Sequence, residues 1–178
     1  RGILTERAGW IVELTTADGR QGYGDCAPLP AAGTESAANA HTGLRNYLPS
    51  LYDQSVSAAL ASLPFTTDTP AARHALESAL LDLISQAANL SLRRWLSPQA
   101  VDRLAVNGAA GPLDEQAPQR CARLIAQGFR VLKLKVGLTE IEQELQRLHL
   151  LCRQLPDPVR LRLDANGAWN LLEAQQFL

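Results

Sequence analysis

Val131-Leu132-Lys133-Leu134-Lys135-Val136-Gly137 and, after a gap long enough for one helix, Arg160-Leu161-Arg162-Leu163-Asp164-Ala165-Asn166 are the stretches on which the fold turns. Each alternates apolar and charged residues, as a strand does when its two faces meet different surroundings. Leu132, Leu134 and Val136 share one face and Lys133 and Lys135 the other. Leu161 and Leu163 likewise oppose Arg160, Arg162 and Asp164. Taken alone, either strand suits a half-exposed antiparallel sheet with solvated charges. The surrounding sequence argues against that. Arg103 to Gly108 reads as a strand, Asp114 to Gln127 as a helix and Arg130 to Gly137 as the next strand. Thr139-Glu140-Ile141-Glu142 matches a capping box that opens a helix to about Gln154, which Pro156 stops. Arg160 to Asn166 is a third strand, and Asn170 to Leu178 begins a third helix. Repeated βα units predict a parallel sheet covered by helices on its outer face, either an open doubly wound sheet or a barrel. The leucines then meet the helices, and the charged face lies inside a barrel or at its mouth.

Before Val101 the pattern is different. Trp10, Val12 and Leu14 alternate with polar positions up to Asp18-Gly19, a dipeptide suited to a hairpin turn, and Gln21 to Cys26 forms the return strand. The Gly22-Tyr23-Gly24 within it lies in a hairpin rather than a βαβ unit, which speaks against a dinucleotide fingerprint. Pro28-Leu29-Pro30 and Ala31-Ala32-Gly33 form a loop ending at Thr34, an N-cap candidate with Glu35 in the first turn. Helices are predicted from about Glu35 to Leu48 and from Pro70 to Ala88, the second capped by Thr69, with Ala72, Leu76, Leu80, Leu83 and Ile84 along one face. Strands followed by helices make residues 1–100 an α+β domain, and residues 101–178 the opening part of an α/β domain.

Composition narrows the function classes. Of 178 residues, 46% are hydrophobic and 20% charged, which fits a core-forming chain and excludes a disordered or collagen-like one. With 17 Lys+Arg against 18 Asp+Glu the net charge is -1, so nothing favours nucleic acid or an anionic membrane as partner. The three cysteines Cys26, Cys121 and Cys152 lie far apart and fit reduced packing residues in the cytoplasm. No run approaches the roughly 20 apolar residues of a membrane span, and no signal-peptide core precedes Trp10. There is no Met, and the sequence opens within an expected strand and closes within an expected helix, so both ends read as cuts in a longer protein. The oligomeric state is not written in these residues.

The chemistry gathers at the strand ends. Lys133 and Lys135 are two residues apart, about 6 to 7 Å along a strand, so each ammonium disfavours the other's charge, which suits a lysine for general-base work. They and Asp164 precede Gly137 and Asn166-Gly167 late in their strands, where barrel enzymes place their sites. Asp164 is open to two readings, a hard oxygen ligand for Mg²⁺ or a salt bridge to Lys135. His41, His74 and His149 sit on expected helices without a second ligand at metal spacing, Trp10 and Trp95 read as packing residues, and Trp169 packs near the mouth.

The Lys133-Leu134-Lys135 and Leu163-Asp164-Ala165-Asn166 elements resemble the enolase superfamily, muconate-lactonizing-enzyme subgroup. The earlier region, with Ala72-Arg73-His74-Ala75-Leu76-Glu77 and Leu81-Asp82-Leu83, is similar to its capping domain. The Gly24-Asp25-Cys26-Ala27-Pro28-Leu29-Pro30, Lys135-Val136-Gly137-Leu138 and Arg162-to-Asn166 segments, with Ala168-Trp169 and Gln175-Gln176-Phe177, look most like the o-succinylbenzoate synthase family of menaquinone and phylloquinone synthesis. The resemblance implies an α+β capping domain followed by the first βα units of a (β/α) barrel. It also implies a lyase that dehydrates the small-molecule carboxylate 2-succinyl-6-hydroxy-2,4-cyclohexadiene-1-carboxylate with syn geometry. Lys135 would remove the α-proton and help expel the hydroxyl; Lys133 would hold a substrate carboxylate or tune Lys135; Asp164 would be the first of three carboxylate ligands to Mg²⁺ or Mn²⁺. Arg162 and Asn166 would bind substrate and support the site, and the loop from Asp25 to Gly33 would close over it. The family's further Glu and Asp ligands and second lysine belong to later strands that this sequence does not contain, and Glu173, in a helix, does not replace them. The same lysines would serve a dipeptide epimerase or N-acylamino-acid racemase, and a non-catalytic chain would use them only in salt bridges.

Overall fold

The computed structural model describes residues 5–177. Expectations for the first residues fall on 1–4, and that for the last helical position on 178, all outside the described residues. The chain divides into two compact units, residues 1–101 and 102–178.

In the first unit, β1 (Trp10–Thr15) and β2 (Gln21–Cys26) pair antiparallel in the register Trp10 to Cys26 through Thr15 to Gln21. Three helices follow, α1 (Ala37–Tyr47), α2 (Val56–Ser62) and the long α3 (Pro70–Ala87), then the short α4 (Leu92–Leu96). α2 and α4, both opened by serine caps (Ser55, Ser91), are too short for a periodic apolar stripe and go unseen in the sequence. The inward face of β2 is Gly22, Gly24 and Cys26, and α3 lies directly on it. A Cβ at Gly24 would stand 1.8 Å from the Ala75 carbonyl oxygen, and one at Gly22 2.3 Å from that of Ala79. The GxG is therefore the imprint of a helix pressed on a hairpin. Val12, Cys26, Leu44, Leu76 and Leu80 centre this unit's core.

Two caps differ from expectation. Ser36, not Thr34, caps α1 through the Asn39 N–H, while the Thr34 hydroxyl accepts the Leu29 N–H and closes the Pro30–Ala32 turn. α3 is capped from outside its own segment: the Ala71 and Ala72 N–H groups donate to the buried Glu35 carboxylate at 3.1 and 2.9 Å. Thr69, the expected cap, is engaged instead with the Tyr47 hydroxyl at 3.0 Å.

The second unit is a three-stranded parallel sheet in the order β3 (Gly108–Pro112), β4 (Val131–Lys135), β5 (Arg160–Asp164). Helices α5 (Ala117–Ala126) and α6 (Ile141–Gln154) form the crossovers, and α7 (Leu171–Gln176) follows β5. Leu132, Leu134 and Val136 are buried beside Cys121 and Leu151 of the helices, so the leucine face meets the helical layer as expected. The first strand departs from expectation: Leu104 and Val106 alternate but are 80% and 70% exposed, and the paired strand is the small-residue segment after them. A Cβ at Gly108 would lie 3.0 Å from the Phe129 ring and 3.1 Å from Leu124, so the position is tightly packed and a larger residue would have to displace those side chains. Among the described residues, no helix is long and apolar enough to cross a membrane.

Candidate active site

Lys135 and Asp164 end neighbouring parallel strands at the same level. They are register partners, as are Lys133 and Arg162. The ladder continues past both ends: Leu113 N–H donates to the Lys135 carbonyl at 2.9 Å and Val136 N–H to the Asp164 carbonyl at 3.1 Å. The strand ends are thus fixed by backbone bonds, and side chains of one parity leave the sheet on the side opposite the leucines. That side carries Lys133, Lys135, Arg160, Arg162 and Asp164, an excess of positive charge.

Asp164 has the most defined environment. Its Oδ2 lies 2.6 Å from the Lys133 ammonium, and its Oδ1 accepts the Asn166 N–H at 3.0 Å. Lys133 first and Asn166 second hold its carboxyl below the ordinary Asp range, with Lys135 adding a smaller electrostatic pull. Of the two readings of Asp164, the salt bridge is present but runs to Lys133, two residues before the register partner Lys135. Both partners are partly exposed, so the bridge serves geometry more than stability. Among the described residues, Lys135 makes no ion pair within 4.0 Å and stands exposed beside Asp164. Asn166 takes a left-handed φ of 49°, which turns the chain sharply after Asp164, and Arg162 is exposed.

The turns after the strands also have structure that the sequence reading missed. The capping box expected at Thr139 and Glu142 is absent: Glu140 sits at the N-cap of α6 without a side-chain bond. Glu144, 1% exposed, instead reaches back and accepts the Gly137, Leu138 and Thr139 N–H groups at 2.7, 2.9 and 3.4 Å. A true capping box joins Asn170 and Glu173 at α7, which occupies the Glu173 carboxylate. Trp169 stacks on Phe177 with ring centroids 4.1 Å apart, a packing role.

A carboxylate offers about four lone-pair sites, of which Asp164 uses two, so it retains oxygen capacity for a hard cation. Among the described residues, no three His, Cys, Asp or Glu side chains group to hold a metal ion. In the first unit the Asp25 to Gly33 loop is a built turn, its Pro28 carbonyl accepting from Arg7 Nε at 3.3 Å. An open cleft of about 350 Å³ beside it is lined by Arg7, Asp25, Thr34, Pro70 and His74.

Comparison with known proteins matches both units. Residues 1–83 fit the family model described as MenC, N-terminal domain, and residues 116–178 the one described as Enolase C-terminal domain-like. The o-succinylbenzoate synthase of Enterobacter sp. (strain 638) is 34% identical over 174 residues, 98% of this chain and 47% of that protein. The crystal structure of a dipeptide epimerase from Enterococcus faecalis V583 superposes with a TM-score of 0.80 at 28% identity, over 94% of this chain and 49% of that one. The o-succinylbenzoate synthase from Thermosynechococcus elongatus BP-1, complexed with Mg in the active site, gives 0.69 at 26% identity, over 96% and 48%. The chain spans about half the length of the curated relatives it matches.

Proposed function

Because this chain belongs to the enolase superfamily, we propose that it supplies the acid/base lysine and the first metal-ligating carboxylate of an enzyme that removes a proton next to a carboxylate. The observation that carries the reading is the placement of Lys135, without an ion pair among the described residues, level with Asp164 on the next strand. The finer assignment is o-succinylbenzoate synthase, supported by the likeness of 98–99% of this chain to proteins of that name.

Lys135 in its amine form takes the α-proton as the C–H bond breaks, and the electron pair moves toward the substrate carboxylate. It then returns that proton to the departing β-hydroxyl, so that water leaves and a C=C bond remains. Using one lysine for both transfers makes the elimination syn. Lys133 holds Asp164 in place through its 2.6 Å bridge. Arg162 and Asn166 border the same strand end and present donors to a carboxylate substrate. Asp164 would hold Mg²⁺ or Mn²⁺ with ligands from outside this chain; when bound, the cation supplies charge that favours the electron-rich state after proton loss.

Epimerases are also close relatives, and a second reading keeps Lys135 as one of two bases on opposite faces of a dipeptide α-carbon. A full-length protein containing this sequence separates the two. Incubated in D₂O, an epimerase returns dipeptide carrying deuterium at the α-carbon, whereas the synthase converts the cyclohexadiene carboxylate to an aromatic product minus water. Lys135→Ala abolishes whichever activity is present; full activity in that variant would refute the acid/base role.

A further inference from the structure

Glu144 is the most deeply buried charged side chain among the described residues, at 1% exposure, and its partners are backbone amides. An apolar residue would fill that space without the cost of burying a carboxylate, a cost offset only when its oxygens are hydrogen-bonded. Here the oxygens face successive N–H groups of the turn that follows Lys135, gathered by Gly137 at φ 73° into a small anion cradle. That turn abuts the next one. A Cβ on Gly137 would stand 2.7 Å from the Ala168 Cβ and 3.2 Å from Trp169 Nε1, residues that follow Asn166, whose own N–H holds Asp164. One carboxylate on α6 therefore holds the β4 turn, and that turn in its own right packs against the β5 turn.

We propose that Glu144 is a positioning residue: through the Gly137-Leu138-Thr139 turn it sets where Lys135 stands relative to Asp164. The inference rests on the acid/base reading of Lys135 given above. It never touches the reacting atoms; its effect is on the approach of the lysine, where misplacement by about 1 Å can lower a rate by roughly 100-fold.

The test uses a full-length protein containing this sequence, with whichever of the two substrates it turns over. In Glu144→Gln, which keeps the shape but puts an NH₂ against backbone donors, amide hydrogen exchange at residues 137–139 should quicken at least about tenfold. kcat should fall about 10- to 100-fold with KM within about threefold. Glu144→Asp should restore part of both, and it carries the same criteria if the Gln variant does not fold. Faster exchange with unchanged kcat would leave Glu144 a purely structural clamp and overturn the proposal, as would unchanged exchange. Lys135→Ala distinguishes the premise: turnover is lost while exchange at 137–139 stays slow. If that variant keeps its turnover, or the protein turns over neither substrate, the acid/base reading falls and takes the catalytic part of this inference with it, whatever the exchange shows.

Discussion

Gly24 shows how much a single position decides. Its missing side chain lets the backbone of α3 approach β2, and a Cβ there would overlap the Ala75 carbonyl, a backbone atom that cannot swing aside. Gly24→Ala should therefore cost more than the roughly 1–3 kcal/mol of ordinary overpacking, read as a drop in the urea midpoint. Gly33→Ala, with φ 91° but nothing within 4 Å, should cost only about 1 kcal/mol of backbone strain. If the two losses are equal, the close-approach explanation is wrong. Other single residues were legible to different degrees. Lys133, Lys135 and Asp164 stand out in the sequence because alternation puts charges opposite leucines in a helix-covered sheet. That Lys133 takes the Asp164 bridge did not, since strand register and diagonal reach decide it. Glu144 was hidden among the polar positions of an amphipathic helix, and a false capping box stood just before it.

At the scale of elements, local signals competed with packing and sometimes lost. Leu104 and Val106 have the alternation of a strand, yet the sheet takes the small-residue segment Gly108–Pro112, against which Leu124 of α5 and Phe129 pack tightly at Gly108. The long helix α3 was legible from its apolar stripe, but its cap was not, for Glu35 is distant in sequence and reaches the Ala71 and Ala72 amides across the fold. Glu35→Ala leaves one buried and one partly buried donor without partners and should destabilise by about 1–3 kcal/mol, while Thr69→Ala, which removes one hydroxyl bond, should cost about 1 kcal/mol. Thermal melts rank the pair, and a costlier Thr69 variant would move the cap back to the local residue. Leu134, fully buried between β4 and its helices, should cost about 2–5 kcal/mol as Leu134→Ala.

Across the whole molecule each unit has its own core, and the cysteines report on both. Cys26 lies in the first core and Cys121 in the second, while Cys152 is exposed on α6, which corrects the expectation that all three pack. Burial, with smaller contributions from the Glu35 and Asp25 charges, pushes the Cys26 thiol up to about 11, and burial also raises Cys121. An unfolded thiol ionises near pH 8.5, about two units or more below the folded Cys26, so above that pH the unfolded chain releases a proton that the folded chain keeps. The sign follows: this contribution to stability is complete below about pH 8.5 and is lost as pH rises through about 11. Two measurements check it. A disulfide reagent at pH 8 should modify one thiol rapidly in the native protein and all three in urea. The urea midpoint should fall between pH 8 and 11, and fall less steeply in Cys26→Ala. Identical slopes in the two proteins would mean that the buried thiol does not govern the alkaline limb, and rapid native modification of all three would contradict the cores themselves.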